Sequence, residues 1–317
     1  MWKRRFFRLQ SAATALVLAG CTTPSTVPAP QALARWTVAL RDAQPEDAFA
    51  AVYKVDRKRL VFVGAKHANR HDSRTFSLIR DAYANFRFDT VIAEGFATSR
   101  GPNPASVIKY ALESKIGANG FVEGGETVPT VLGAMRQQAV LLGGEPDDLS
   151  IKTRTSASGV SDRDLLGFYV LRSIPQWISE RKIKGAGDAA LQPLVEAELV
   201  RKRAALQVPA TVLPSFADWV QWYTGLNGKA LGEDFQTEEV GPLADGRFGT
   251  NRVAYEVSRA RDTHLHQLTV DRLNVGENVL AVFGASHLLI QKPALDAALG
   301  PTCYLGPDLK KAKSACR

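Results

Sequence analysis

The chain has 317 residues, 45% of them hydrophobic and 23% charged, enough for one well-buried core or one core with an inserted lobe. Its formal charge is +8, but Lys3, Arg4, Arg5 and Arg8 belong to an N-terminal leader, and losing these four lowers the balance to +4. So small an excess argues against nucleic acid as a partner.

The leader reads as a lipoprotein signal peptide over residues 1–20. Its apolar stretch, 11–18, is too short to span a bilayer. Leu18-Ala19-Gly20-Cys21 places small residues before a cysteine, which suits a narrow peptidase pocket and a thiol that accepts a diacylglyceryl group. Cys21 is the expected lipidation site, and its acyl chains, palmitate among them, would hold the protein on a membrane. Thr22 is not the aspartate that retains lipoproteins in the inner membrane, so the expected place is the outer membrane of a bacterial envelope, facing the periplasm. Residues 21–45 read as a lipidated tether, rich at their start in Thr, Pro and Ser. Residues 46–317 read as a single α/β domain with a mainly helical insertion at about 150–245.

Apolar runs at 50–55 and 59–63, split by Asp56-Arg57-Lys58, predict a hairpin. Phe76, Ile79, Ala82 and Phe86 then repeat with helical period, and 90–93 is a short buried strand ending in Glu94-Gly95. Strand, helix and strand make a βαβ unit with parallel strands. A helix at 104–114, a glycine-rich loop at 117–130 and a helix at 128–138 lead to a strand at 139–142, which runs into a Gly143-Gly144 turn before Glu145. Long charged periodic stretches at 161–180 and 189–206 predict the inserted helices. Trp219, Trp222 and Tyr223 form an aromatic group, either lobe core or cleft wall. A loop over 226–249 precedes a helix from Thr250 or Asn251 to about 273. A last strand at 279–283 and a closing helix at 291–299 complete a mostly parallel sheet flanked by helices.

Two of the five histidines end the same phrase, G-A-x-H after an apolar run: VFVGAKH ends at His67 and LAVFGASH at His287. Both lie past the carboxyl ends of strands, where open α/β sheets bind ligands. Glu94 lies at another strand end, in the expected pairing beside the strand of His67. These three could hold a divalent metal such as zinc, or serve as base, acid and orienting groups without one. Arg261, beside Asp262 on the last long helix, could clamp a carboxylate or phosphate or stabilise an oxyanion. Glu126, Glu145, His71 and Arg252 are secondary candidates; His71 and Asp72 could instead cap the following helix. Cys303 and Cys316 could pair in an oxidising compartment and pin the tail. No dinucleotide, Walker or nucleophile-elbow motif is present.

GAKH, the strand-end Glu94-Gly95, the GGE turn, Arg261-Asp262 and GASH together resemble the TraB/GumN, TIKI, erythromycin-esterase and ChaN-like superfamily over residues 52–299. The resemblance implies a hydrolase-like site in which His67, Glu94, His287 and Arg261 match the family's two G-x-x-H histidines, strand-end glutamate and late arginine. It implies an ester, amide or peptide bond in a small-molecule or peptide substrate, cleaved with or without metal. The ChaN-like branch implies the alternative, a non-enzymatic binder of haem or another small ligand. Ala65-Lys66 departs from the commonest form, and a lysine beside His67 puts a nearby cation in doubt.

Overall fold

The computed structural model describes residues 32–316 except 68 and 233, so the leader and Cys21 lie outside the described residues. A short helix, α1 (Val38–Asp42), precedes a hairpin of β1 (Phe49–Val55) and β2 (Lys58–Ala65). Then come α2 (Arg74–Asn85), β3 (Thr90–Ala97), α3 (Ala105–Glu113), α4 (Thr127–Gln137) and β4 (Val140–Glu145). Five helices come next: α5 (Asp148–Ala157), α6 (Asp162–Leu171), α7 (Ile174–Ser179), α8 (Leu191–Leu206) and α9 (Phe216–Asn227). The chain closes with α10 (Gly249–Asn274), β5 (Val279–Gly284), α11 (Ala285–Leu299), β6 (Tyr304–Gly306) and α12 (Leu309–Ala315).

The strands form one six-stranded sheet in the order β4-β3-β5-β2-β1-β6. β4, β3, β5 and β2 run parallel, while β1 pairs antiparallel with both β2 and β6. This is the α/β architecture expected from the sequence. Alternation along β2 splits its side chains between two cores: Val61 and Val63 pack toward α2, and Leu60 and Phe62 toward α11. One expectation needs correcting. The strands carrying His67 and Glu94 are parallel but not neighbours, because β5 lies between them. A βαβ unit fixes direction and hand, not adjacency, and a later strand is free to enter the gap.

The helices between β4 and α10 build a separate core around Leu166, Phe168, Trp219 and Tyr223. The aromatic group is therefore core: the Trp219 indole donates to the Gly167 carbonyl and Trp222 to Asp164. Tyr223 donates to the buried Glu239 carboxylate. α10 belongs to both cores. Val253, Ala254, Val257 and Ala260 pack in the lobe, and Leu265, Val270 and Leu273 pack under the sheet. The residues between, Arg261 and Asp262 among them, cross the junction.

Three local differences from the sequence reading matter for the site. Gly143 and Gly144 lie inside β4, and Glu145 is its last residue rather than the far side of a turn. The last helix begins at Ala285, not near residue 291, so His287 stands in its first turn. The chain also docks well before residue 45: Trp36 is 6% exposed and packs with Leu243 and Ile290, while Ala34 N–H donates to the Ile290 carbonyl. The residues around this buried indole are mostly apolar, and Leu33, Val38 and Leu40 pack against the same cluster. At the other end Cys303 and Cys316 form a disulfide, and α12 packs on α2 through Leu309 and Ala312.

Candidate active site

Each site residue owes its place to the way a strand ends. Past β2, Thr75 Oγ1 accepts from Lys66 N–H at 3.0 Å and donates to the Lys66 carbonyl at 2.7 Å. These two hydrogen bonds tie the turn presenting His67 to the start of α2. β3 shifts register against β4 between Ala93 and Ala97. Gly95, at φ +99°, makes this bulge, and it turns Glu94 toward the strand ends. The bulge crowds β4: a Cβ on Gly143 would lie 2.2 Å from the Phe96 carbonyl oxygen. β5 passes directly into α11, which swings His287 back over the sheet edge. Gly284 makes room for the other histidine, since a Cβ there would lie 3.0 Å from His67 Nε2.

The two imidazoles are built alike. His67 Nδ1 lies 2.5 Å from Glu126 Oε1, and His287 Nδ1 lies 2.8 Å from Asp262 Oδ1. Each carboxylate holds one ring nitrogen and leaves the other facing Glu94. His67 Nε2 is 4.0 Å from Glu94 Oε2, and His287 Nε2 is 3.7 Å from Glu94 Oε1. Glu94 itself is pinned: Oε1 accepts from Arg261 Nη2 at 2.8 Å and Oε2 from Gly284 N–H at 2.7 Å. Arg261 also grips Glu145 with two nitrogens, at 2.7 and 2.5 Å. Asp262 accepts further bonds from Ser258 Oγ and Gln291 Nε2, and Gln291 Oε1 faces His266 Nδ1.

These contacts set the charge states. Burial opposes ionisation of Glu94, but His287, Arg261, His67 and the Gly284 N–H outweigh it and hold the carboxyl down at about 2. The bond from Glu126 raises His67 above its ordinary 6.5, against some loss from burial. Burial would lower His287, but Asp262 and Glu94 more than offset it and leave this imidazole raised as well. Glu145 and Glu94 together keep Arg261 firmly charged despite its burial.

The trio His67, Glu94 and His287 does not fit a metal ion. A carboxylate behind each Nδ1 is a common support for metal-bound histidine. Here, however, both oxygens of Glu94 are already hydrogen-bonded, one of them by a guanidinium 2.8 Å away. A divalent cation on that carboxylate would face a full positive charge. Among the described residues no group of three or more His, Cys, Asp or Glu is placed to hold a metal.

A cavity of about 260 Å³ opens over His67, Glu94, Ser258, Arg261 and His287. Glu126 and Glu145 join the network through His67 and Arg261. His71 and Arg252 do not. His71 is exposed, with Nδ1 3.3 Å from the Gly120 carbonyl oxygen, and the cap of α2 is Ser73. Arg252 is exposed and reaches Asp164 at 4.0 Å. Arg261, expected to clamp a substrate, spends its charge on Glu94 and Glu145. The sequence reading singled out Asp262 only as a neighbour of Arg261 and missed Ser258 and Gln291. Spacing held a clue, because Ser258 precedes Asp262 by four residues and Gln291 comes four after His287, each pair sharing a helix face. No family model, curated protein or solved structure matches the chain.

Proposed function

We propose that this protein is a metal-independent hydrolase of esters, amides or peptides, lipid-anchored at Cys21 on the periplasmic side of a bacterial envelope. The TraB/GumN-like superfamily is its proposed affiliation. One observation carries the catalytic reading: two carboxylate–imidazole pairs converge, through their outer nitrogens, on one pinned carboxylate.

The roles come from the surroundings of each ring. Glu126 accepts from His67 Nδ1–H, which leaves Nε2, 4.0 Å from Glu94 Oε2, as the base on a side chain that is 61% exposed. His287, buried and held charged by Asp262, keeps a proton on Nε2 to give away. A water molecule bonds through its oxygen to the acyl carbon and passes a proton to His67. When the tetrahedral adduct collapses, the bond from carbon to the leaving oxygen or nitrogen breaks, and the leaving atom takes the His287 proton. His67 then releases a proton to solvent and His287 regains one, so the site returns to its starting state. Glu94, held ionised, fixes the field between the two rings and favours the charged form of His287. Arg261 is a positioning residue that holds Glu94 against Glu145.

The envelope assignment rests on the LAGC motif, and the disulfide between Cys303 and Cys316 is in keeping with an oxidising compartment. Among the described residues no helix is long and apolar enough to cross a membrane. Labelled palmitate should enter the wild type and not Cys21→Ala.

The deciding experiment is an ester and peptide screen of wild type and His67→Ala, with and without chelator. Turnover that survives the chelator and is lost in the variant is the expected result. Turnover abolished by chelator and restored by one metal would overturn the metal-free mechanism. No turnover anywhere, together with a Soret band on haemin titration that needs His67 or His71, would favour the binding alternative.

A further inference from the structure

The cavity over the two histidines does not end at the sheet. A second cavity, of about 580 Å³, lies between the strand ends and the helical lobe, and it shares Glu94, Arg172 and Arg261 with the first. Its acids are satisfied. Glu94 and Glu145 are taken by Arg261, Asp147 caps α5 through Ser150 N–H, and Asp148 faces Lys202 at 3.5 Å. Arg201 is bound to Glu198. Pairing these charges off leaves two cations, Arg100 and Arg172, with no ion pair among the described residues.

Arg172 is the better placed of the two, because it alone of the pair lines both cavities. It stands just past the last residue of α6 and is exposed. Its guanidinium stands 5.1 Å from the centroid of the Tyr169 ring, and Lys202 Nζ stands 4.4 Å from the same ring. Stacking fixes the plane of an arginine without using its hydrogen-bond donors. A planar fork held beside an aromatic ring, with no ion pair among the described residues and at the junction of two cavities, is suited to a carboxylate or phosphate, which it can bind through two parallel bonds.

We propose that Arg172 anchors an anionic group of the substrate, a carboxylate or a phosphate, beside the bond to be cleaved. The inference rests on the hydrolase reading for the word substrate, though not for the anion site itself. The lobe thereby sets specificity, with its larger cavity taking the part of the substrate beyond the anion and Arg100 adding a second, outer positive charge.

Calorimetric titration of the full chain with inorganic phosphate and, separately, with succinate tests the site directly. Wild type should bind at least one of the two, and which one binds identifies the anion. Arg172→Met, which keeps an apolar contact on Tyr169, should weaken that binding about tenfold or more. Arg172→Lys, which keeps the charge but loses the fork, should fall between and serves if the methionine variant does not fold. Binding of neither anion by wild type, or undiminished binding in Arg172→Met, overturns the proposal. A matched pair of esters differing only in a free carboxylate against its methyl ester gives the second readout. Wild type should prefer the charged ester, and Arg172→Met should lose the preference. If no ester is cleaved but an anion binds through Arg172, the hydrolase reading falls and the anion site stands. If both esters are cleaved alike and neither anion binds, the anion site falls alone.

Discussion

The same phrase, G-A-x-H, ends two parallel strands and produces two unlike histidines. After His67 the sequence continues Ala-Asn-Arg-His-Asp, with no apolar helical stripe, and the next helix, α2, begins only at Arg74. The His67 side chain is 61% exposed there. After β5 it continues Leu-Leu-Ile-Gln, enters α11 at once, and draws the His287 side chain down to 8% exposure. Each ring keeps a carboxylate on Nδ1, but Glu126 comes from the loop before α4 and Asp262 from the middle of a long buried helix. The residues on the C-terminal side of each phrase, rather than the phrase itself, decide whether its histidine meets solvent or core. The pair is thereby divided into a solvent-facing ring and a buried one, the proposed base and the proposed acid.

The comparison breaks most sharply at the buried pair. Asp262→Ala leaves the enclosed His287 imidazole without its anion, and we expect a loss of about 3 kcal/mol in stability with a fall of about a thousandfold in kcat/KM. Denaturant unfolding and kinetics on any substrate found in the screen measure both. Stability equal to wild type would mean that the two histidines are not energetically distinct. On the exposed side His67→Ala should cost about a hundredfold to a thousandfold in kcat/KM with little change in unfolding midpoint. Glu126→Gln should cost less, because a neutral acceptor still holds the ring.

The pH dependence has a definite sign. His287 is raised, so the stability it contributes is full below the ordinary 6.5 and is lost as pH rises through its folded value. Glu94 is depressed from 4.5 to about 2, so its contribution is present above 4.5 and is lost as pH falls toward 2. The proposed mechanism needs His67 neutral and His287 charged. A bell-shaped kcat/KM profile is expected, its acid limb centred above 6.5 because both rings are raised. An acid limb below 6.5 would contradict the base role of His67. The smallest effect is expected at the point where the two phrases meet. Gly284→Ala puts a Cβ 3.0 Å from His67 Nε2 and 3.6 Å from Glu94 Oε2, so the freer His67 ring should yield. We expect about a tenfold loss in kcat with near wild-type unfolding.

Much of the fold and of the site is legible in the amino-acid order, for reasons that can be named. The strands announce themselves as short apolar runs, and a polar residue directly after such a run has few structural explanations, which picks out His67, Glu94 and His287. Glu126 is only half visible, because acids in glycine-rich loops are common and nothing local says that this one turns inward. β5 entering between β2 and β3 is hidden, since local pattern gives strand direction but not lateral order. The role of Gly143 is misread for a similar reason: glycine marks a turn or a close approach equally well, and only the bulge of β3 decides. Arg172 is invisible, one of many arginines in the chain, and its lack of an ion pair among the described residues is a property of the assembled surface.

α10 carries one more consequence. Its first half is gripped by the lobe and its second by the sheet, while Arg261 and Asp262 lie where the grip changes hands. The angular phase of that helix is therefore a shared reference for two bodies. Adding one residue between Ala260 and Arg261 would turn everything beyond it by about 100° relative to the lobe. The strain could be relieved only by letting one body rotate. Lobes of different size could be exchanged on this scaffold provided that the join preserves whole turns, so the divergence of such a fold is quantised by helical pitch.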